Sequence, residues 1–163
     1  MKAPSFPIKR NAALVSFSKD HHFALLLVWK IRQGLAKGIP ANRIASYATD
    51  FFRKHLIPHF RDEEEMLFTK LQPGDALRVK AELQHQGLYK LANDIEKTID
   101  DRGGLLTRFA DELESHIRFE ERVLFNHLQA SISDLEMEQI AQRMESDAVH
   151  FDDDCTDKFW EKS

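Results

Sequence analysis

The chain has a single cysteine, Cys155, in 163 residues. An internal disulfide is therefore excluded, and so are copper(I) and iron–sulfur sites, which are built on thiolates. Cys155 also sits among Asp152, Asp153, Asp154 and Asp157, whose charge disfavours its thiolate, so a reactive thiol is not expected. Long hydrophobic runs are missing too. The most apolar stretch, Phe23 to Trp29, is seven residues long and closed by Lys30 and Arg32, against the roughly 20 residues a spanning helix needs. No Lys/Arg-dense run occurs and the formal net charge is −4, which leaves no electrostatic footprint for nucleic acid or anionic lipid. The start carries charges at Lys2, Lys9, Arg10 and Lys19 and lacks the apolar core of a secretory signal. A soluble, cytoplasmic protein is expected, with neither nucleic acid nor membrane as partner. Glycine and proline are scarce, six and five residues, and no strand-period alternation competes with helix.

What is present is helical punctuation, in a chain the size of one domain. The first helix is predicted to start at Ser18 as N-cap, with Asp20 in its positive first turn, and to stop at Gly38. Pro40 opens a second, running to about Leu71 and kinked at Pro58, which lacks a backbone donor. The third spans about Asp75 to Ile99, with an apolar stripe of Leu77, Ala81, Leu88, Ala92, Ile95 and Ile99. The fourth spans about Leu105 to Gln129 and carries Leu106, Phe109, Leu113, Val123 and Leu124 on one side. Connections of about three to five residues make neighbours antiparallel, so the expected fold is all-α, an up-down-up-down four-helix bundle. Ser133-Asp134-Leu135-Glu136 is a capping box that begins a short extra C-terminal helix ending near Asp147. An acidic tail follows, expected to pack through Phe159 and Trp160. This divides the chain into an N-terminal segment 1–17, a bundle 18–129 and a C-terminal helix and tail 130–163 packing on the bundle. Phe23, Leu26 and Leu27 fall off the inward stripe of the first helix and need cover from the fifth helix, the tail or a second copy. Monomer and homodimer both remain open.

The most informative feature is a repeat. His59 to Phe68 (HFRDEEEMLF) recurs at six of ten positions in His116 to Phe125 (HIRFEERVLF), and each copy puts a Glu four residues after a His. Positions four apart share one helix face, so each copy aims an imidazole and a carboxylate at one point. Solvated surface pairs would explain this spacing, but the helical neighbours of His59 include Phe52, Leu56 and Met66, and those of His116 include Phe109, Leu113 and Val123. On such core faces an unpaired imidazole or carboxylate costs several kcal/mol, and a bound cation offsets it. His85 sits on the apolar stripe of the third helix; alone it would read as a satisfied core histidine, but beside two His-Glu pairs it reads as a ligand. The first helix offers His21 or His22. Steps of four, seven, eight and ten from His21 meet Leu25, Val28, Trp29 and Ile31, whereas from His22 steps of eight and ten meet Lys30 and Arg32, which favours His21. His55 lies one turn before His59, but Pro58 between them disturbs the register, so it is expected beside the ligands rather than among them. Glu64, Glu65 and Glu121 are expected as solvated charges, at most orienting a ligand histidine, and His127 and His150 as surface residues.

Four imidazoles (His21, His59, His85, His116) and two carboxylates (Glu63, Glu120) suit two metal ions better than one, because two carboxylates shared between the ions give each His, His, O, O and vacant positions. Imidazole with carboxylate suits iron, and also zinc or manganese.

With those residues in view, the stretch from about 18 to 129 resembles a hemerythrin-like (HHE cation-binding) domain: Asp20-His21-His22, the paired HFRDEEEMLF and HIRFEERVLF segments, and the histidine of the third helix match that family's order. The resemblance implies a non-haem di-iron centre (Fe2+/Fe3+), one iron on His21 and His59, the other on His85 and His116, with Glu63, Glu120 and an oxo, hydroxo or water bridge between them. It implies binding of oxygen, nitric oxide or a peroxide-level ligand, for sensing, storage or detoxification. A di-iron oxidase or peroxidase, or an iron-nitrosyl repair enzyme, is the alternative. One position departs: oxygen-carrying members have a second histidine one turn after the third-helix ligand, where this chain has Tyr89. That leaves one iron with an extra open site, or lets the phenol hydrogen-bond an oxygen there.

Overall fold

Asn11, not Ser18, starts the first helix. The computed structural model describes residues 10–146 and 157–161; His150 and Cys155 lie outside them. Helix α1 runs Ala12–Ala36, with Asn11 Oδ1 accepting from the Ala13 N–H at 2.9 Å. Ser18 lies within it because Leu14 and Phe17 already belong to the same buried face as His21, so the apolar period extends about two further turns towards the N-terminus. The other end is where the glycine predicts: Gly38 takes φ +71°, a conformation that costs a Cβ-bearing residue more.

Helix α2 covers 41–70 and is interrupted twice. An α-helical part, Ala41–Phe51, leads into a π-turn, Phe52–Leu56, then α-helix Ile57–Asp62, a second π-turn, Glu63–Leu67, and a closing 3-10 turn, Phe68–Lys70. The first π-turn answers Pro58. The Ile57 N–H reaches back five residues to the Phe52 carbonyl, one position before the residue with no N–H to give. Helix α3, Ala76–Lys97, is capped by Asp75, whose Oδ1 accepts from the Leu77 and Arg78 amides at 3.0 and 3.2 Å. It stops short of Ile99, which is 82% exposed and does not complete the predicted stripe. Helix α4 covers 102–131, again with a π-turn, Glu120–Leu124, between Arg102–Phe119 and Phe125–Ser131. The extra residue of that turn advances the helix face, so Val123, expected inside, is 43% exposed while Leu124, Phe125 and Leu128 are buried. Helix α5, Asp134–Ser146, begins at the capping box, with Ser133 Oγ accepting from the Glu136 N–H at 3.2 Å.

The protein is an all-helical bundle with no strand among the described residues. Helix α1 lies along α4, α4 along α3, α2 packs on all three, and α5 lies against α1. Two apolar clusters fill the interior. One contains Ala24, Leu27, Ile31, Phe52, Phe60, Leu88, Phe109 and Leu113; the other contains Leu14, Phe17, Leu67, Phe68, Ala81, Leu124 and Phe125, closed by Met137 and Ile140 of α5. Along the chain α1 and α3 pass from the second cluster into the first, and α2 and α4 from the first into the second. On each of the four, a buried histidine, joined on α2 and α4 by a buried glutamate, stands at the changeover. No helix of the described residues is long and apolar enough to cross a membrane.

The tail residues close the end of the bundle at α1 and α2. Phe159 is buried against Gly34, where a Cβ would come within 2.8 Å of its ring. Lys37 Nζ donates to the Trp160 carbonyl at 2.6 Å, and Arg43 donates twice to Asp157, at 2.6 and 3.0 Å. Lys30 is buried, donating to Tyr47 Oη at 2.8 Å with its ammonium 4.0 Å from the centre of the Trp160 ring.

Candidate metal centre

The sequence repeat is also a backbone repeat. In both copies a π-turn begins on the glutamate, with the Phe68 N–H bonded to the Glu63 carbonyl and the Phe125 N–H to that of Glu120. Each His therefore stands on regular helix, and the wide turn starts at the carboxylate four residues on. His59 Nε2 lies 3.2 Å from Glu63 Oε1, and His116 Nε2 meets Glu120 Oε1. From α1, His21 Nε2 lies 3.8 Å from Glu63 Oε2 and 3.7 Å from Glu120 Oε1; from α3, His85 Nε2 lies 3.3 Å from Glu63 Oε1 and 4.0 Å from Glu120 Oε1. All six predicted residues are brought together and buried, both carboxylates at 0% exposure. They form two overlapping sets, His21, His59, Glu63 and Glu120, and Glu63, His85, His116 and Glu120, in each of which the candidate ligand atoms lie within 4.8 Å of one another. The two carboxylates are common to both.

Behind the imidazoles is a second ring of contacts. Asp20 Oδ2 accepts from His59 Nδ1 at 2.9 Å, Glu64 Oε1 from His85 Nδ1 at 2.9 Å, Gln84 Oε1 from His116 Nδ1 at 2.6 Å, and Glu121 Oε1 from His21 Nδ1 at 2.6 Å. The circuit closes: α1 serves α2, α2 serves α3, α3 serves α4 and α4 serves α1. A carboxylate can only accept, so Asp20, Glu64 and Glu121 hold the proton on Nδ1 and turn the Nε2 lone pair inward. Sequence reasoning treated Asp20 as a helix-terminus charge and left Gln84 out. The signal was adjacency, since each of the four partners is the chain neighbour of an inward-facing residue.

The inward atoms test whether a cation belongs here. His21, His59, His85 and His116 Nε2 and all four oxygens of Glu63 and Glu120 are buried without a hydrogen-bond partner. Several lie close to one another, yet their angles are not those of hydrogen bonds, as expected of lone pairs aimed at a common centre. Eight orphaned polar atoms, each costing about 1–3 kcal/mol when left unpaired, need compensation that no described side chain supplies. A hard or borderline cation accepting N and O donors fits that set. The electrostatics of the metal-free cluster agree. Burial alone would push His59 down, but the Glu63 charge and the bond to Asp20 hold it well above its usual value. His85, likewise opposed by burial, is raised to about 9 by Glu63 and Glu64. Burial and the neighbouring Glu63 charge push Glu120 up, whereas Glu63 is held well below the usual carboxylate range against its burial, chiefly by His59. Without a cation His59 and His85 hold protons that a bound cation would displace.

Other candidates fall outside. His22 is exposed, and His55 is half-buried with its ring 4.9 Å from that of Phe51. Tyr89 packs against Phe52 and Phe60, at 5.4 and 6.1 Å between centroids, and Phe60 in turn stacks on His85 at 4.0 Å. Burial and then the Glu64 charge raise its phenol. Glu65 is exposed, as expected. His127 is not a free surface residue: it is half-buried, its Nε2 2.7 Å from Oδ2 of the capping Asp75. The face of α1 also needs correction. Trp29 is 48% exposed and Leu27 is buried, because eight steps of 100° miss the His21 direction by 80° whereas six steps miss it by 120° on the side that meets α2 and α4. Lys30, used to reject His22, is itself buried.

Comparison with curated proteins and with solved structures finds no match. The family model described as the hemerythrin HHE cation binding domain matches residues 14–128, a span that contains all six inward-facing residues and all four of their partners. The chain belongs to the hemerythrin HHE cation-binding domain family.

Proposed function

We propose that this protein is a non-haem di-iron protein that binds oxygen, nitric oxide or a peroxide-level ligand for sensing, storage or detoxification. One observation carries the reading: eight inward-facing buried atoms without partners, grouped as two His2Glu2 sets sharing both carboxylates. His21 and His59 would hold one ion, His85 and His116 the other, with Glu63 and Glu120 between them. Two adjacent ions with vacant positions would supply redox and Lewis-acid chemistry towards a small ligand. The chain itself contributes the rest. The Nδ1 partners fix each imidazole, the two apolar clusters keep bulk water out, and Phe60 and Phe68, stacked at 4.0 and 5.5 Å on His85, hold one ring from both clusters. The alternating order in which the helices traverse the two clusters supports an up-down-up-down bundle.

The test is metal analysis of protein supplied with iron, with optical spectra before and after azide and after anaerobic reduction and reoxidation. About two irons per chain and near-ultraviolet bands that change with azide are expected. His59→Ala and Glu120→Ala should each lose metal and melt at lower temperature, since bound metal stabilises the folded state; wild-type metal content in both would refute the assignment.

A further inference from the structure

The two sets of inward donors are identical in composition, but what stands behind them is not. His21 and His59 are backed by two carboxylates, Glu121 and Asp20; His85 and His116 are backed by one carboxylate, Glu64, and one neutral amide, Gln84. We propose that the two metal positions are inequivalent, the His85/His116 position being the weaker and more readily emptied one, and that Gln84 is the positioning residue that makes it so. This rests on the di-metal reading above.

Two physical differences point the same way. A carboxylate on Nδ1 raises the donor strength of the imidazole, and loss of such a partner typically costs 10–100-fold in metal affinity. A carboxylate also admits one tautomer only, whereas an amide turned end for end presents N–H groups, which pair with a bare Nδ1 and leave the proton on Nε2, facing the metal. The surroundings of Gln84 leave room for that turn. It lines a groove of about 480 Å³ between α3 and α4, together with Val79, Lys80, Leu83, Gly87 and Glu112. Glu121, by contrast, is pinned by Arg10, which donates to its carbonyl at 2.7 Å and lies 3.4 Å from its Oε2. That pairing draws off part of the Glu121 charge but leaves it an acceptor only.

The test uses the full chain loaded with zinc, a probe without redox chemistry, and a competing chelator added in steps while released zinc is counted and histidine side chains are followed by 15N NMR. Wild type should lose its two ions in two steps, separated by 10–100-fold in free zinc, with the His85 and His116 signals changing in the first. Gln84→Glu should close the gap to within about threefold by strengthening the first-lost ion. Asp20→Asn should close it from the other side, by weakening the ion held last. Loss of both ions from wild type in one step, or a gap unchanged by Gln84→Glu, would overturn the proposal while leaving the di-metal reading intact. A chain that takes up no zinc and no iron would overturn both.

Discussion

Gly34→Ala should destabilise the protein even though alanine is the better helix former. The exchange gains about 1 kcal/mol of helix propensity. Against this, the new Cβ would stand 2.8 and 2.9 Å from two carbons of the Phe159 ring and 2.9 Å from Ile44 Cδ1, well inside ordinary contact. Ile44 can swing its terminal methyl aside, but the ring is confined by Tyr47, with centroids 5.6 Å apart, and by Trp160 at 5.1 Å. Overpacking of this sort costs about 1–3 kcal/mol, so the net effect is a loss of about 1 kcal/mol. Phe159→Ala alone should cost about 3 kcal/mol, the low end for a buried phenylalanine, since its site is at the end of the bundle. In the double variant the clash is gone and the propensity gain survives, so it should be more stable than Phe159→Ala alone. The coupling between the two sites should be about 2 kcal/mol, read from urea midpoints at constant slope. Additivity within about 0.5 kcal/mol, or a stabilised Gly34→Ala single variant, would refute the placement of the tail in the notch. Metal content should be unchanged throughout, because neither residue touches the polar cluster.

His21→Ala should lower metal content while His22→Ala leaves it at wild type; equal losses in metal analysis would show the wrong histidine has been chosen. Asp75→Ala removes the α3 cap and should cost about 1 kcal/mol, or about 2–4 °C in melting temperature for a chain of this size; an unchanged melt would mean the cap contributes nothing. The hydrogen bond from His127, and then the amides it caps, hold Asp75 below its usual value. A carboxyl depressed on folding contributes stability that is present above its unfolded value near 3.9 and lost as pH falls through the lower folded value. The difference in urea midpoint between wild type and His127→Ala should therefore be larger at pH 5 than at pH 2.5, and the same difference at both would exclude the pair as its source.

The inward residues were legible because their signal is local and repeated. His59, Glu63, His116 and Glu120 follow from a spacing of four on largely apolar faces, and His85 from its place in the α3 stripe. What stayed hidden depends on more than one helix. Asp20 and Gln84 act on histidines of neighbouring helices, so adjacency to His21 and His85 marks their place but not which ring they serve. Lys30 looks solvated by type, yet its stem is buried and its ammonium finds Tyr47 and an aromatic ring from residues more than a hundred positions away. Val123 was misplaced because a strict helical period was carried through a π-turn, which has no residue signature apart from a following proline, and only the first of the three has one.

At Glu63 and Glu120 those π-turns change the rotational phase of α2 and α4. Upstream of Glu63 and Glu120 the side chains are clocked to one apolar cluster; downstream, one surplus residue has reset the clock for the other. Were either turn wound as regular α-helix with its surplus residue kept, everything beyond it would swing by about 100°, turning Leu67 and Phe68, or Leu124 and Phe125, away from the interior they now fill. The wide turn is therefore what keeps half the core in place around one additional residue.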